Sequence, residues 1–158
     1  AIGIVDDITR SISMDLKEAG NSIYLVGELS EEPKSVPDVP SSTLRVYRAL
    51  HQAIKMGLVR SAHDLSEGGL AVAAAEMCIG GRLGMDAKLD TTALFTETNG
   101  CLLVEISPEN ASAFENQFGD LPIKKVGTVM QEPSLIIRES VSISVPDLVQ
   151  AFNKPKYS

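Results

Sequence analysis

The polar turn at residues 63–69 holds the side chains and glycines of this chain that are best suited to bind an anion. A short apolar run at 57–62, typical of a β-strand, leads into the turn, and small and apolar residues follow it from 70 to 79. Gly80 and Gly81 come next, as expected where a helix must end in a left-handed conformation. The pattern predicts one strand–turn–helix unit, with the helix at roughly 67–79.

The turn contains residue types that begin helices. Asp64 and Ser66 both favour the N-cap position, and Asp64 has an acidic residue three positions on, as in a capping box. With Ser66 as the cap, the next three residues would form the first helical turn, and their N–H groups would lack partners within the helix. A phosphate could reach those N–H groups and the positive end of the helix dipole. The candidate phosphate- or nucleotide-binding residues are therefore Asp64, Ser66, Glu67, Gly68 and Gly69.

The same glycines have a second interpretation. Without side chains they would let the helix press closely against its strand, and the alanines at positions 71 and 73–75 also favour close packing. Ser-x-Gly-Gly is a weak pattern, so the residues alone leave anion binding and close packing both open.

Other chemistry finds less support in the sequence. His63, Asp64 and Ser66 are too close along one turn to form a nucleophilic relay by themselves, so we assign no catalytic residue. No ligand spacing typical of zinc joins His63 to the cysteines, and we assign no metal site. Cys78 and Cys101 lie in apolar surroundings and are predicted to be buried, reduced thiols in a cytoplasmic protein.

Composition limits the class of protein. A chain of 158 residues with 44% hydrophobic and 22% charged residues suits one globular domain, residues 1–158. The net charge of −7 without a basic cluster argues against nucleic acid as a partner. No apolar run approaches the roughly 20 residues that span a bilayer, so we expect no membrane association.

Apolar periodicity gives the remaining elements. Residues 22–29 contain a continuous apolar run, typical of a central strand buried on both faces, and 43–56 repeat apolar residues at helical spacing. Residues 28–42 are expected to form a loop and 153–158 a polar tail. Together these elements predict an α+β domain with helices packed on a mostly antiparallel or mixed sheet. Further strands are predicted at 1–5, 12–14, 83–89, 100–106, 123–130, 134–138 and 141–145, and further helices at 108–118, with Ser107 as its cap, and 146–152.

Several of these segments resemble one enzyme family. Residues 63–81, HDLSEGGLAVAAAEMCIGG, are similar to the C-terminal repeat of phosphoribosylformylglycinamidine synthase, an ATP-dependent ligase of purine biosynthesis. The resemblance extends through 15–20, 23–27, 57–64 and 94–98, and is weakest at 28–42. It implies a layered α/β/α domain with partial ferredoxin-like topology, the AIR-synthase-related C-terminal domain, as a fragment of a longer enzyme.

The resemblance also implies a function. The family's enzyme uses ATP to convert formylglycinamide ribonucleotide to its amidine, releasing ADP and phosphate, with ammonia from a glutaminase subunit assisted by a small bridging subunit. This domain would contribute a phosphate- or nucleotide-binding wall, and Glu97 and Thr98 could face the substrate. The resemblance implies that ATP and magnesium are bound mainly by the N-terminal remainder. The chain itself has no Walker-type loop and no acidic cluster suited to magnesium beside a triphosphate, so we expect no cofactor and no activity in this fragment alone. The alternatives are a non-catalytic scaffold or interface domain, or a domain of a related synthetase such as selenophosphate synthetase.

Overall fold

A seven-stranded mixed sheet forms the centre of the molecule, with helices on both faces. The computed structural model describes residues 4–5, 7–29, 39–138 and 140–154. The strands are β1 (Ser22–Val26), β2 (Val59–Asp64), β3 (Gly84–Ala87), β4 (Leu102–Ile106), β5 (Ile123–Met130), β6 (Ser134–Ile137) and β7 (Val141–Ser144). The α-helices are α1 (Thr43–Lys55), α2 (Gly69–Gly81), α3 (Ala111–Phe118) and α4 (Val145–Phe152).

The first part of the sheet has ferredoxin-like connectivity. The elements β1–α1–β2–β4–α3–β5 form a split βαββαβ unit, with the strands side by side in the order β2-β4-β1-β5 and every neighbouring pair antiparallel. Helix α2 and strand β3 are inserted between β2 and β4, and β6 and β7 extend the sheet beyond β3. The only parallel pair between described strands is β3 with β6. The predicted α+β class and partial ferredoxin-like topology are confirmed.

Strand β1 lies in the middle of the ferredoxin-like unit, as its continuous apolar run predicts. All five of its residues are buried, and it pairs with β4 on one side and β5 on the other. Its side chains alternate between the two faces of the sheet. Tyr24 and Val26 join the core under α1 and α3, whereas Ile23 and Leu25 join the core under α2 and α4. The strand ends at Val26, three residues earlier than predicted, because Gly27 takes a left-handed φ of 96°.

Helix α1 has the bounds that its apolar spacing predicts, within one residue. It ends in a Schellman motif: the Leu58 N–H donates to the Ala53 carbonyl at 3.0 Å, and the Gly57 N–H donates to the Ile54 carbonyl at 2.9 Å. Gly57 has a φ of 73°, which a residue with a side chain adopts only at a cost.

The paired glycines at the end of α2 do not terminate it, and that prediction is wrong. Both are helical, and the left-handed residue is Arg82, with a φ of 56°. A methyl group at Gly80 would lie 2.8 Å from Cβ of Asp15, and one at Gly81 would overlap the Leu16 carbonyl oxygen. The Leu16 N–H in turn donates to the Met77 carbonyl at 3.1 Å. These glycines therefore admit a neighbouring segment of backbone to the helix surface.

Glu105 in β4 fixes that same segment from the other side. Its carboxylate is fully buried and accepts hydrogen bonds from four donors, one of which is shared between both oxygens, and these bonds satisfy a charge that would otherwise be costly to bury. Backbone N–H groups of Lys17 and Glu18 donate at 2.9–3.1 Å. Asn21 Nδ2 donates at 2.7 Å, and Ser61 Oγ at 2.8 Å. This carboxylate ties the approach to β1 to strands β2 and β4.

Several smaller predictions need correction. Residues 12–14 are not a strand, although the Ser13 carbonyl accepts a hydrogen bond from the Ala62 N–H at 3.2 Å. The predicted helix at 108–118 begins as a 3-10 turn, and Ser107 makes no side-chain cap. The strand at 83–89 is limited to β3 and that at 100–106 to β4. The predictions for residues 1–3, 30–38 and 155–158 lie outside the described residues.

Candidate functional site

One end of the sheet brings the predicted site segments together. Strands β1, β2 and β3 run in the same direction, so they end at this side, and their antiparallel neighbours β4 and β5 begin there. We call it the carboxyl edge. Helix α2 follows β2 through the turn at 63–69, so its N-terminus also lies at the carboxyl edge. The segment 94–100, which leads into β4, completes this edge.

Backbone hydrogen bonds join the turn to the segment before β4. Leu65, which is buried, donates its N–H to the Cys101 carbonyl at 3.2 Å and accepts from the Thr98 N–H at 3.2 Å. The Ala71 N–H donates to the Leu94 carbonyl at 2.8 Å. The two segments singled out in the sequence, 64–69 and 97–98, are therefore neighbours, which their separation along the chain did not require.

The start of α2 differs from the predicted capping arrangement. The helix begins at Gly69, its N-cap is Gly68 rather than Ser66, and no side chain caps it. Gly68 and Gly69 have φ values of 85° and 63°, so two consecutive left-handed residues redirect the chain at the start of the helix. Neither Ser66 nor the Asp64–Glu67 pair acts as the predicted cap. Side-chain capping requires an extended residue directly before the helix, and a left-handed glycine occupies that position.

Part of the backbone expected to bind an anion is already used within the protein. The Gly69 N–H donates to the Ser66 carbonyl at 2.9 Å, and the Ala71 N–H has the partner given above. A methyl group at Gly69 would lie 2.7 Å from the Thr96 carbonyl oxygen and 2.9 Å from the Phe95 carbonyl carbon. Gly69 therefore has the close-packing role that was the second interpretation of these glycines.

Exposure separates the remaining candidates. Asp64, Ser66 and Glu67 are exposed and Gly68 is half-buried, so these residues are accessible to a ligand. Glu97 is also exposed, whereas Thr98 is buried. The carboxylates at 64, 67 and 97 make the rim of the turn negative.

His63 is held between two carboxylates. Its Nε2 lies 2.6 Å from Glu76 Oε2 in α2, and its Nδ1 lies 3.5 Å from Asp64 Oδ1. These contacts link the end of β2 to α2. They give His63 a place in the packing of the turn.

A cavity of about 300 Å³ opens at the carboxyl edge beside the first turn of α2. It contains two exposed lysines, Lys88 after β3 and Lys124 in β5, which the sequence analysis missed. They are 36 positions apart in sequence and belong to no motif, so only the pairing of β3 with β5 brings them to one cavity. Asp90 also lines it; hydrogen bonds from Thr92 and the charge of Lys124 hold the pKa of Asp90 below its ordinary value.

Two further groups are the cysteines and the side chains that could bind a metal ion. Cys78 and Cys101 are buried and free, as predicted, and burial raises the pKa of each thiol to about 12. Within the described parts of the chain, no group of three or more His, Cys, Asp or Glu side chains is arranged to hold a metal ion. None of the helices found in those parts is long and apolar enough to cross a membrane.

Comparison with known proteins gives close relatives in sequence. The chain is 36% identical over 155 residues to phosphoribosylformylglycinamidine synthase subunit PurL of Lactobacillus helveticus, and 37% identical over 154 residues to that of Lactobacillus acidophilus. These alignments cover 87% and 86% of the chain but only 21% and 20% of the relatives. The chain thus spans about a fifth of the length of the curated relatives that it matches.

Solved structures share the fold. PurL of Thermotoga maritima complexed with ATP has a TM-score of 0.75 at 20% identity, covering 90% of this chain and 28% of that one. The hydrogenase maturation protein HypE of Escherichia coli has a TM-score of 0.64 at 14% identity, covering 85% of this chain and 52% of that one.

A family model agrees with both results. The model described as AIR synthase related protein, C-terminal domain, matches residues 13–139, from the segment before β1 to the end of β6. The match includes the whole ferredoxin-like unit, the turn and α2. This chain therefore belongs to the AIR synthase related protein family and represents its C-terminal domain.

Proposed function

We propose that this chain is the C-terminal domain of a phosphoribosylformylglycinamidine synthase. The complete enzyme would use ATP to convert formylglycinamide ribonucleotide to the amidine, with release of ADP and phosphate. The observation that carries the proposal is the 36–37% identity to two PurL subunits over most of this chain. PurL of Thermotoga maritima has been solved with ATP, with ADP and with FGAR, which agrees with nucleotide and substrate sites in that protein.

Within that enzyme, the carboxyl edge would form one wall of a phosphate- or nucleotide-binding cleft. The accessible residues of the turn, above all the Ser66 hydroxyl and the Gly68 backbone, would meet the ligand. Asp64 and Glu67, whose carboxylates repel a bare phosphate, would contact it through a cation or through hydroxyl groups. Glu97 lies in the neighbouring segment and would face the substrate, while buried Thr98 would support that segment.

Cofactor and partners follow from the same assignment. ATP and magnesium would be held mainly by the part of the enzyme that precedes this domain, so the chain by itself would not turn over ATP. PurL of Thermotoga maritima occurs in a solved PurLQS assembly. We infer a glutaminase subunit and a small bridging subunit as partners of the complete protein, acting in the cytoplasm.

Replacing Ser66 tests the proposed wall without disturbing the fold. The side chain is exposed and caps nothing, so Ser66→Ala in the full-length enzyme should leave the melting temperature unchanged. Loss of one hydrogen bond to a charged phosphate should reduce ATP-dependent amidine synthesis by roughly tenfold or more. Ser112→Ala, at an exposed position of α3 on the other face of the sheet, is the matched control.

The structure favours one alternative enough to include it in the test. Because Gly69 packs on backbone and its N–H is already bonded, the domain could serve as a scaffold or interface only. Unchanged synthesis in Ser66→Ala, and in Glu97→Gln measured beside it, would favour the scaffold. Substrate-dependent ADP release by the purified chain alone would contradict the proposal that the preceding part of the enzyme holds ATP and magnesium.

A further inference from the structure

The cavity at the carboxyl edge combines an apolar floor with two cations. Its apolar lining includes Leu25 of β1, Leu70 of α2 and Leu89 after β3, all three buried. Lys88 and Lys124 line the same space and are exposed. Its volume of about 300 Å³ matches the lower end of the range for small-molecule sites. Such a lining suits a small molecule that has a compact body and an anionic group.

The distribution of charge at the carboxyl edge also favours anion binding in the cavity. The chain carries a net charge of −7. Asp64 and Glu67 of the turn are exposed, and the N–H groups of Gly69 and Ala71 beside them are already hydrogen-bonded within the protein. An anion approaching the edge would therefore be repelled at the turn and attracted at the cavity, where two ammonium groups are present.

One acidic group also lines the cavity and contributes to its net charge. Asp90 lines the cavity, but its Oδ1 accepts hydrogen bonds from the Thr92 N–H at 3.0 Å and from the Thr92 hydroxyl at 2.7 Å. Lys88, Lys124 and Asp90 together leave the cavity with one net positive charge. The hydrogen bonds that hold this carboxylate come from Thr92, whereas Lys124 acts on it through its charge.

We propose that this cavity binds a phosphate ester, with the phosphate between Lys88 and Lys124 and the body of the molecule on the apolar floor. A phosphate carries nearly two negative charges and three acceptor oxygens, enough to engage both ammonium groups, whereas a carboxylate carries one charge. The proposal deepens the proposed function, on which it rests: the positive charge that an anionic ligand needs at the carboxyl edge comes from these lysines and not from the turn.

Titration of the 158-residue chain with ADP and, separately, with inorganic phosphate tests the site. Leucine and valine methyl groups are followed by NMR, with Leu25, Leu89 and Val126 as reporters of the cavity. We expect ADP to shift these methyl signals, and Lys88→Ala and Lys124→Ala each to weaken ADP binding by about tenfold or more. Lys125→Ala is the matched control, because Lys125 is exposed, adjacent in sequence and outside the cavity lining; it should weaken binding less than about twofold.

The outcomes separate this proposal from the proposed function. ADP binding that shifts none of the cavity methyl groups, or that responds equally to all three lysine changes, would overturn the cavity assignment. If Ser66→Ala still reduces synthesis by roughly tenfold or more in the full-length enzyme, the proposed function would stand without the cavity assignment. Loss of ADP binding in the Lys88 and Lys124 variants only, in a full-length protein that makes no amidine, would support the cavity and overturn the enzyme assignment. Inorganic phosphate should bind more weakly than ADP, because it leaves the apolar floor empty.

Discussion

Replacing Gly69 by alanine measures how tightly the start of α2 is packed against the segment before β4. Two costs add in this variant. A left-handed φ, here 63°, costs a residue with a side chain about 1–2 kcal/mol. The new methyl group would also lie 2.7 Å from the Thr96 carbonyl oxygen and 2.9 Å from two further backbone atoms of residues 95 and 96, and such overpacking costs about 1–3 kcal/mol.

Gly57 provides the control that isolates the first cost. Its φ is 73°, and a methyl group there would meet nothing within 4 Å. Gly57→Ala should therefore lower the free energy of unfolding by about 1–2 kcal/mol, and Gly69→Ala by about 2–5 kcal/mol. With a urea m-value of about 2 kcal/mol/M, the unfolding midpoints should fall by roughly 0.5–1 M and 1–2.5 M.

Urea unfolding at 25 °C, followed by far-ultraviolet circular dichroism, measures both midpoints under the same conditions. Equal losses in the two variants would refute the reasoning, since they would mean that the 95–96 backbone moves away at no cost. The turn could then open by itself, and the close contact between the two segments of the carboxyl edge would contribute nothing to its geometry.

Three further predictions concern a buried carboxylate, the two cysteines and an ion pair. Glu105→Ala should lower the free energy of unfolding by about 3–5 kcal/mol, measured in urea, because four buried or part-buried donors lose their acceptor. Cys78 and Cys101 should react with a bulky thiol reagent only as fast as the chain opens, because burial raises both pKa values to about 12. Hydrogen bonds from Arg138 at 2.8 Å lower the pKa of Asp86, so this pair should contribute stability at neutral pH that is lost as pH falls below the ordinary carboxyl range.

Each of these has an outcome that would contradict it. A loss under about 1 kcal/mol in Glu105→Ala would mean that water replaces the carboxylate. Rapid labelling of both thiols in native buffer would place them at the surface. For the ion pair, urea midpoints of wild type and Asp86→Asn should differ at pH 7 and converge in acid; a difference that persists in acid would assign the effect to packing.

Local sequence patterns were enough to predict several helices and strands, the family and the fold class of this protein. The continuous apolar run of β1 and the helical spacing of α1 depend on which faces of an element are buried, and this information is contained in consecutive residues. The resemblance of residues 63–81 identified the family for the same reason, because a motif is a local feature of the chain. The predicted α+β class followed from these elements, and the structure confirmed it.

Only the tertiary structure decided how the turn is used. Ser66 and the Asp64–Glu67 pair have capping chemistry, yet helix α2 starts at Gly69, because two glycines adopt left-handed conformations and the backbone of residues 95 and 96 packs against the second of them. The tertiary contacts override the local preference for a side-chain cap.

Lys88 and Lys124 are a second case that local sequence patterns could not predict. Each is an ordinary surface residue in the sequence, and their shared cavity results from the pairing of β3 with β5 and from the position of α2. The sequence by itself determined most of the helices and strands, the burial of β1 and of the two cysteines, and which family the chain resembles. The tertiary structure decided that two lysines line one cavity, because strand order brings together residues that are distant along the chain. No local pattern of the sequence contains that strand order.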